Sequence, residues 1–256
     1  VLLAVDIGNS DIALGVFHKS DLVATSRLET SLSLAEEDVT TVIQGLIRNS
    51  GFQKEDVSGT IVGSVVPSLT PLFKAICNKA FNLQPILVSS KLDLGIELKV
   101  QHPEEVGADR ICNSVAAKKL YGTPAVVVDF GTATVYDAID EEGNFIGGAI
   151  APGIETSTRY LIEKAALLSP ITFKIPKTAI GTDTESNLQS GIVLGAVDQV
   201  EGMVRRIKAE TGWKDFPVIV TGGLGKLISG LSDVISHCDG ELTLKGLELI
   251  YRQVRT

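Results

Sequence analysis

Two aspartates stand where strands of apolar residues should end on something less costly. Val1 to Val5 run into Asp6, with Gly8, Asn9 and Ser10 behind it, and Ala125 to Val128 run into Asp129, with Gly131 and Thr132 behind it. A carboxylate at the mouth of an apolar strand is expensive unless something pairs with it or it stays wet. A strand, a glycine turn and a returning strand present backbone N–H groups at the bend, and small side chains there let a polyanion come close. Two such turns make a phosphate clamp, each aspartate facing the cation that accompanies the anion. For one copy alone, D-x-G closing a hairpin is an equal reading; two equivalent copies, followed by "TGG" at 221 to 223, favour the clamp.

Three further positions invite chemistry. Asp109, in "GADR", sits where an extended segment turns into a helix carrying Ile111, Val115 and Leu120; taken alone it reads as a capping charge worth under about 1 kcal/mol. Arg110 offers a planar donor fork suited to carboxylate or phosphate, and reads equally as a helix-surface cation. "GTDTES" opens a long helix, where the spacing of Thr182 and Glu185 predicts a capping box. Thr184 falls in its first turn, where a hydroxyl and N–H groups can meet an anion.

The elements that must hold these residues form a repeat. Asp6 aligns with Asp129 at a distance of 129 − 6 = 123 residues, which also aligns Gly8 with Gly131 and Asn9 with Thr132. Both copies continue as a strand, a polar break and another strand: Ile12 to Phe17, "HKSD" and Leu22 to Leu28, against Val135 to Ile139, "DEEGN" and Phe145 to Ile150. An internal repeat outweighs a single motif as evidence of architecture. In the first copy, Val39, Val42, Ile43, Leu46 and Ile47 predict a helix ending at Gly51. A buried strand "GTIVGSVV", a helix entered through prolines and a strand "PILVSS" complete β-β-β-α-β-α-β, with parallel pairing implied by the crossovers. The second copy adds a helix after "APGIETST", a polar connection from Ser169 to Asp183, and a long helix with Leu188, Ile192, Ala196, Val200, Met203, Val204 and Ile207 on one face. Gly191, Gly195 and Gly202 share a stripe of that helix, which either packs within the chain or admits another helix closely. "PVIVTGG", a short helix and "TLKGLELIYRQV" close the chain. The domain reading is 1–118 and 119–256, with the boundary in or just after the helix of residues 108 to 121.

Composition excludes several classes. A net charge of −8 opposes a phosphate backbone, and the densest basic runs are only Lys118–Lys119 and Arg205–Arg206, so a nucleic-acid partner is not expected. No stretch reaches the roughly 18 apolar residues of a membrane span, and the first apolar run lacks the basic segment of a signal peptide. Cys77, Cys112 and Cys238 are odd in number and lack metal-type spacing, which predicts reduced thiols and a cytoplasmic place. His18, His102 and His237 are not spaced as ligands. Ser64 lacks a G-x-S-x-G elbow, and there is no G-x-x-x-x-G-K-(S/T) loop.

"DIGNS", "GADR", "DFGTAT", "GGAIAPG" and "DTESNLQSG", in that order, resemble type III pantothenate kinase, within the superfamily of acetate and sugar kinases, actin and heat-shock chaperones. The resemblance runs from Asp6 to the "LTLKGL" of residues 242–247. It implies an α/β fold of two similar actin-like (ribonuclease H-like) domains, each a mixed sheet flanked by helices. The implied reaction is ATP-dependent phosphorylation of pantothenate to 4′-phosphopantothenate, the first step of coenzyme A biosynthesis. Also implied are Asp109 as acceptor of the hydroxyl proton; Gly107, Ala108, Asp109, Arg110 and Thr184 as contacts to pantothenate; and Asp6, Ile7, Gly8, Asn9, Ser10, Asp11, Ile12 and Ala13 as the segment on the ATP phosphates. Thr132 would touch ATP, Asp129 would hold potassium or ammonium, and Asp6 would hold magnesium through water. The resemblance further implies a homodimer with its pantothenate pocket at the subunit interface. Ser10 stands where the family usually has Thr, which keeps the hydroxyl, and Val135 where a third threonine often follows "DFGTAT". A non-catalytic binding relative and a phosphohydrolase, with water in place of the alcohol, are the rival readings.

Overall fold

A computed structural model describes residues 1–255, and the chain divides into two compact units. The first comprises Val1–Lys119 together with the C-terminal segment from Glu241 onward; the second is Leu120–Gly240. This differs from the division 1–118 and 119–256. The first boundary agrees within a residue, but the last helix belongs with the first unit, because its apolar residues are buried there.

In the first unit, strands β1 (Leu2–Ile7), β2 (Asp11–His18), β3 (Asp21–Glu29), β4 (Gly59–Ser64) and β5 (Ile86–Leu87) form one sheet in the order β3-β2-β1-β4-β5. β1 pairs antiparallel with β2 and parallel with β4, so the sheet is mixed. Helices α1 (Glu36–Asn49) and α2 (Thr70–Phe81) are the crossovers. Period-two alternation assigns the faces of β1. Leu3, Val5 and Ile7 pack with Val39, Ile43 and Ile47 of α1 and with Phe73 and Ile76 of α2. Leu2 and Ala4 turn the other way, with Ile61 of β4, onto helices α3 (Ala108–Leu120) and α7 (Leu242–Arg255). Both sheet faces are therefore helix-covered, which is why β1 carries a near-continuous apolar run and β4 is buried along nearly all its length.

The second unit repeats the sheet: β6 (Ala125–Phe130), β7 (Ala133–Ile139), β8 (Phe145–Pro152), β9 (Val218–Gly222) and β10 (His237–Cys238), in the order β10-β9-β6-β7-β8. β6 again pairs antiparallel with β7 and parallel with β9. Helices α4 (Ile154–Lys164), α5 (Thr184–Thr211) and α6 (Gly225–Ser229) complete it. The buried stripe of α5 is Val193, Ala196, Val197, Val200 and Val204. Ile192 and Met203, which the sequence places on that face, lie at its margin, so Val193 and Val197 turn the face by about one residue. Gly212 ends the helix in a left-handed conformation, φ 76°.

Candidate active site

The first D-x-G turn is built from the end of β1. Ile7 pairs with Ile12, which leaves residues 8–11 as the turn. The Gly8 N–H donates to the Asp11 carbonyl at 2.9 Å, and a Cβ on Gly8 would stand 2.9 Å from that same oxygen. The glycine thus supplies room, while its N–H is engaged inside the turn. Thr30, just beyond β3, holds the loop: its hydroxyl donates to the Gly8 carbonyl at 2.8 Å, and its N–H to the Ser10 carbonyl at 3.0 Å. Asn9, Ser10 and Asp11 are exposed, and the Arg27 guanidinium on β3 pairs with the Asp11 carboxylate at 3.0 Å.

The second turn is shorter. Phe130 pairs with Thr134, so only residues 131–133 turn, and the Gly131 N–H donates to the Ala133 carbonyl at 3.0 Å. The repeat therefore holds through Asp-x-Gly and loses one residue immediately afterwards. The staple recurs from the element after the third strand. The Gly153 N–H and the Thr156 hydroxyl both donate to the Thr132 carbonyl, at 3.1 and 2.9 Å, and a Cβ on Gly153 would collide with the carbonyls of Gly131 and Thr132. Gly222, at φ +85°, lies so close that a Cβ would sit 2.7 Å from Asp129 Oδ1. The Gly223 N–H donates to the Phe130 carbonyl at 3.1 Å. Asp129 thus stands in a cradle that any side chain at Gly222 would fill. Val135 lies opposite Asp129 in the β6–β7 register, and the Thr132 side chain is exposed.

Asp109 lies in the first turn of α3, and its carboxylate folds back on its own helix end. Oδ1 accepts from the Arg110 N–H at 2.8 Å, and a Cβ on Gly107 would strike that oxygen. Burial pushes this carboxyl above its ordinary value, with the Arg110 N–H and guanidinium pulling it back only in part. One turn on, the Cys112 thiol is fully buried. Its pKa is driven well up by burial, and further by the carboxylates of Asp6 and Asp109, so both acids lie near it. A Cβ on Gly63, the β4 partner of Asp6, would stand 3.6 Å from Ala108 Cβ and 3.8 Å from Asp6 Oδ1. Asp6 and the start of α3 at Ala108 and Asp109, far apart in sequence, meet at one end of the first unit's sheet.

Thr184 is the first residue of α5 and is exposed. The capping box expected of Thr182 and Glu185 forms one residue later. Asp183 is the N-cap, its Oδ1 accepting from the Ser186 N–H at 2.9 Å, while Ser186 Oγ accepts from the Asp183 N–H at 3.2 Å. A carboxylate accepts more strongly than a hydroxyl at a helix N-terminus, so aspartate takes the cap. The Asp183 carboxyl is accordingly held below its ordinary value, by the Ser186 N–H first. A Cβ on Gly191 or Gly195 would meet no described atom within 4 Å, so packing inside the chain does not explain these glycines.

Sequence reasoning missed the staples Thr30, Gly153 and Thr156. The repeat itself could have found them, since both copies place a hydrogen-bonding residue just after the third strand. Among the described residues, no group of three or more His, Cys, Asp or Glu side chains gathers to hold a metal ion, and no helix is long and apolar enough to cross a membrane. A single carboxylate, as each turn supplies by itself, suits a hard cation that keeps most of its water and takes its remaining ligands from phosphate.

The family model of type III pantothenate kinase matches residues 2–206. The type III pantothenate kinase of Halalkalibacterium halodurans is 43% identical over 253 residues, covering 99% of both chains. That of Thermomicrobium roseum is 41% identical over 254 residues, covering 99% of this chain and 98% of its own. Among solved structures, a ROK hexokinase from Thermus thermophilus superposes with a TM-score of 0.52 at 13% identity, over 99% of both chains. The ethanolamine utilization protein EutJ from Carboxydothermus hydrogenoformans reaches 0.53 at 12% identity, over 97% of this chain and 89% of its own. At such identities the structures speak for the two-unit kinase fold alone.

Proposed function

The chain belongs to the type III pantothenate kinase family, and from that premise we propose the roles of its residues. The protein is a kinase that phosphorylates pantothenate with ATP in coenzyme A biosynthesis. Asp109 is the general base. It accepts the proton of the primary hydroxyl as that oxygen attacks the terminal phosphorus of ATP, the bond to the bridging oxygen breaks, and ADP leaves. Phosphoryl transfer asks mainly for an oriented nucleophile and charge stabilisation. A base works best with its pKa near the working pH, so a carboxyl raised by burial is better matched than an exposed one. That half-buried carboxyl, raised by desolvation and lying with Asp6 near Cys112, is the observation that carries the reading.

Gly107, Ala108 and Arg110 orient pantothenate beside Asp109, the guanidinium of Arg110 facing the substrate carboxylate. Asp6 to Ala13 receive the ATP phosphates, and Thr132 contacts the nucleotide. Asp6 fits magnesium held through water, and Asp129, in its glycine cradle, fits potassium or ammonium; bound cations would neutralise charge on the phosphates. Thr184 contacts pantothenate in a homodimer. In support, Gly191 and Gly195 open outward on α5, and Ile150, Tyr160 and Leu161 of the second unit are exposed at 66, 62 and 44%. A cytoplasmic place belongs to the same reading.

The test incubates the protein with ATP, magnesium and potassium, with and without pantothenate. The kinase reading expects ADP only when pantothenate is present; ADP regardless of pantothenate indicates a phosphohydrolase, and none a binding relative. Co-expression of Asp109→Asn with Thr184→Ala, each nearly inactive alone, tests assembly. Mixed dimers with a shared pocket regain a substantial fraction of activity, whereas mixed dimers no better than the single variants show a pocket built within one subunit.

A further inference from the structure

Helix α7 returns from the far end of the sequence to a seat prepared by glycines in the first unit. Gly59 and Gly63 stand four residues apart on β4, on the same face as Ile61. The ring of Tyr251 lies over Gly59, where a Cβ would come within 2.8 Å of Cε2; Leu247 Cδ2 lies 3.3 Å from a Cβ on Gly63. The third glycine belongs to α7 itself. A Cβ on Gly246 would stand 2.5 Å from the carbonyl carbon of Cys112 and 2.8 Å from its Cα, so the two helices touch backbone to backbone one turn beyond Asp109. Beside that contact the Thr243 hydroxyl donates to Asn113 Oδ1 at 2.9 Å, and Asn113 is itself buried.

We propose that α7 is the positioning element of the active site, with Gly246 and Thr243 fixing the first turns of α3 and thereby the place of Asp109 and Arg110. This rests on the reading of Asp109 as the base. Neither residue touches substrate. Gly246 acts by the absence of a side chain, and its clash would be with backbone, which no rotamer change relieves. Thr243 acts through its hydrogen bond to the buried amide oxygen of Asn113. Gly59 marks the opposite end of the seat, where the obstacle is a tyrosine ring that can swing away.

The experiment compares Gly246→Ala, Thr243→Val, Thr243→Ser and Gly59→Ala with the wild type and with Asp109→Asn, reading kcat, the KM for ATP and the melting temperature. A displacement of about 1 Å at a reacting group costs about 10²-fold. Gly246→Ala is therefore expected to lower kcat on that order while the KM for ATP holds. Thr243→Val should fall in the same direction by less, and Thr243→Ser, which keeps the hydroxyl, should recover wild-type kcat. Gly59→Ala should lower the melting temperature and leave kcat intact. If Gly246→Ala does not fold, the Thr243 pair decides. A wild-type kcat in Thr243→Val, with Asp109→Asn inactive, overturns the positioning role, as does a kcat loss that Thr243→Ser fails to recover. An active Asp109→Asn removes instead the base reading on which the proposal stands.

Discussion

The two repeats begin alike and diverge in what they do with their aspartate. In the first unit the chain buries both faces of the sheet under helices, and Asp6 emerges beside Ala108 and near Asp109 at the edge of a dry core. In the second unit the turn is one residue shorter, and Asp129 stands against the backbone of Gly222 and Gly131. The units also treat solvent differently. Leu167 and Ile180, in the connection before α5, are exposed at 93 and 83%, adding to the open apolar residues of β8 and α4. A duplicated scaffold has thus been tuned by its surroundings. One copy sets Asp109 in low-dielectric packing that raises its pKa, and the other sets Asp129 against glycines that carry no side chain.

The largest effect that could break this contrast is in Asp109→Asn. We expect turnover to drop about 10²- to 10⁴-fold, as for loss of a general base. The fold should not suffer. Because the folded-state pKa of Asp109 is raised, its contribution to stability is present below the unfolded pKa and lost as pH rises through the folded one. At neutral pH the charged side chain opposes folding, so the melting temperature of Asp109→Asn should match or exceed that of the wild type. A clearly lower value would show that burial of this carboxylate is better compensated than its surroundings suggest.

Cation exchange probes the other copy. Replacing potassium by sodium should lower the rate by less than Asp109→Asn does, and Asp129→Asn should abolish the difference between the two salts. Equal wild-type rates in both would remove Asp129 from that role. The acid limb of the kcat profile comes next. The base must be ionised, so activity should fall on acidification at a pH above the ordinary carboxylate value of about 3.9, and a limb at or below it contradicts a desolvated base.

Two stability comparisons sharpen the picture further. Gly222→Ala places a Cβ at positive φ and 2.5 Å from the Phe130 carbonyl; the backbone term alone costs about 1–2 kcal/mol, a melting shift of roughly 2–4 °C per kcal/mol. Gly63→Ala, with no contact closer than 3.3 Å, should shift melting less. At the smallest scale, Asp183→Ala should melt slightly earlier than Thr182→Val, since only the former removes the observed N-cap; the reverse order would return the cap to Thr182.

How much of this was legible depended on the range of the interaction that decides it. The strands and the repeat could be read because apolar runs such as "LLAV" and "AVVV" and their polar breaks are local. The cap at Asp183 was misplaced by one residue because Thr182 and Asp183 both suit the position, and geometry chooses between them. β10 was not anticipated: His237 and Cys238 are paired by β9 and have no apolar run of their own. The convergence of Asp6 with Asp109 was implied only by family resemblance, since nothing in either local sequence refers to the other. The allegiance of α7 was likewise hidden. Leu244, Leu247 and Ile250 announce an apolar face without saying which sheet it covers, and only Gly59, Gly63 and Gly246 together hint at the seat.

The seat of α7 also sets an order of events during synthesis. A chain emerging from the ribosome at about 5–20 residues per second delivers all of Leu120–Gly240 before the first residue of α7 appears. The second repeat is contiguous and can close as soon as it is out. The first repeat, although made earlier, keeps the sheet face of Leu2, Ala4 and Ile61 partly open until Leu244, Leu247 and Ile250 arrive to cover it. The half of the protein translated first is therefore the half completed last, and a nascent chain arrested before Leu242 would be a natural client for chaperones that bind exposed apolar strands.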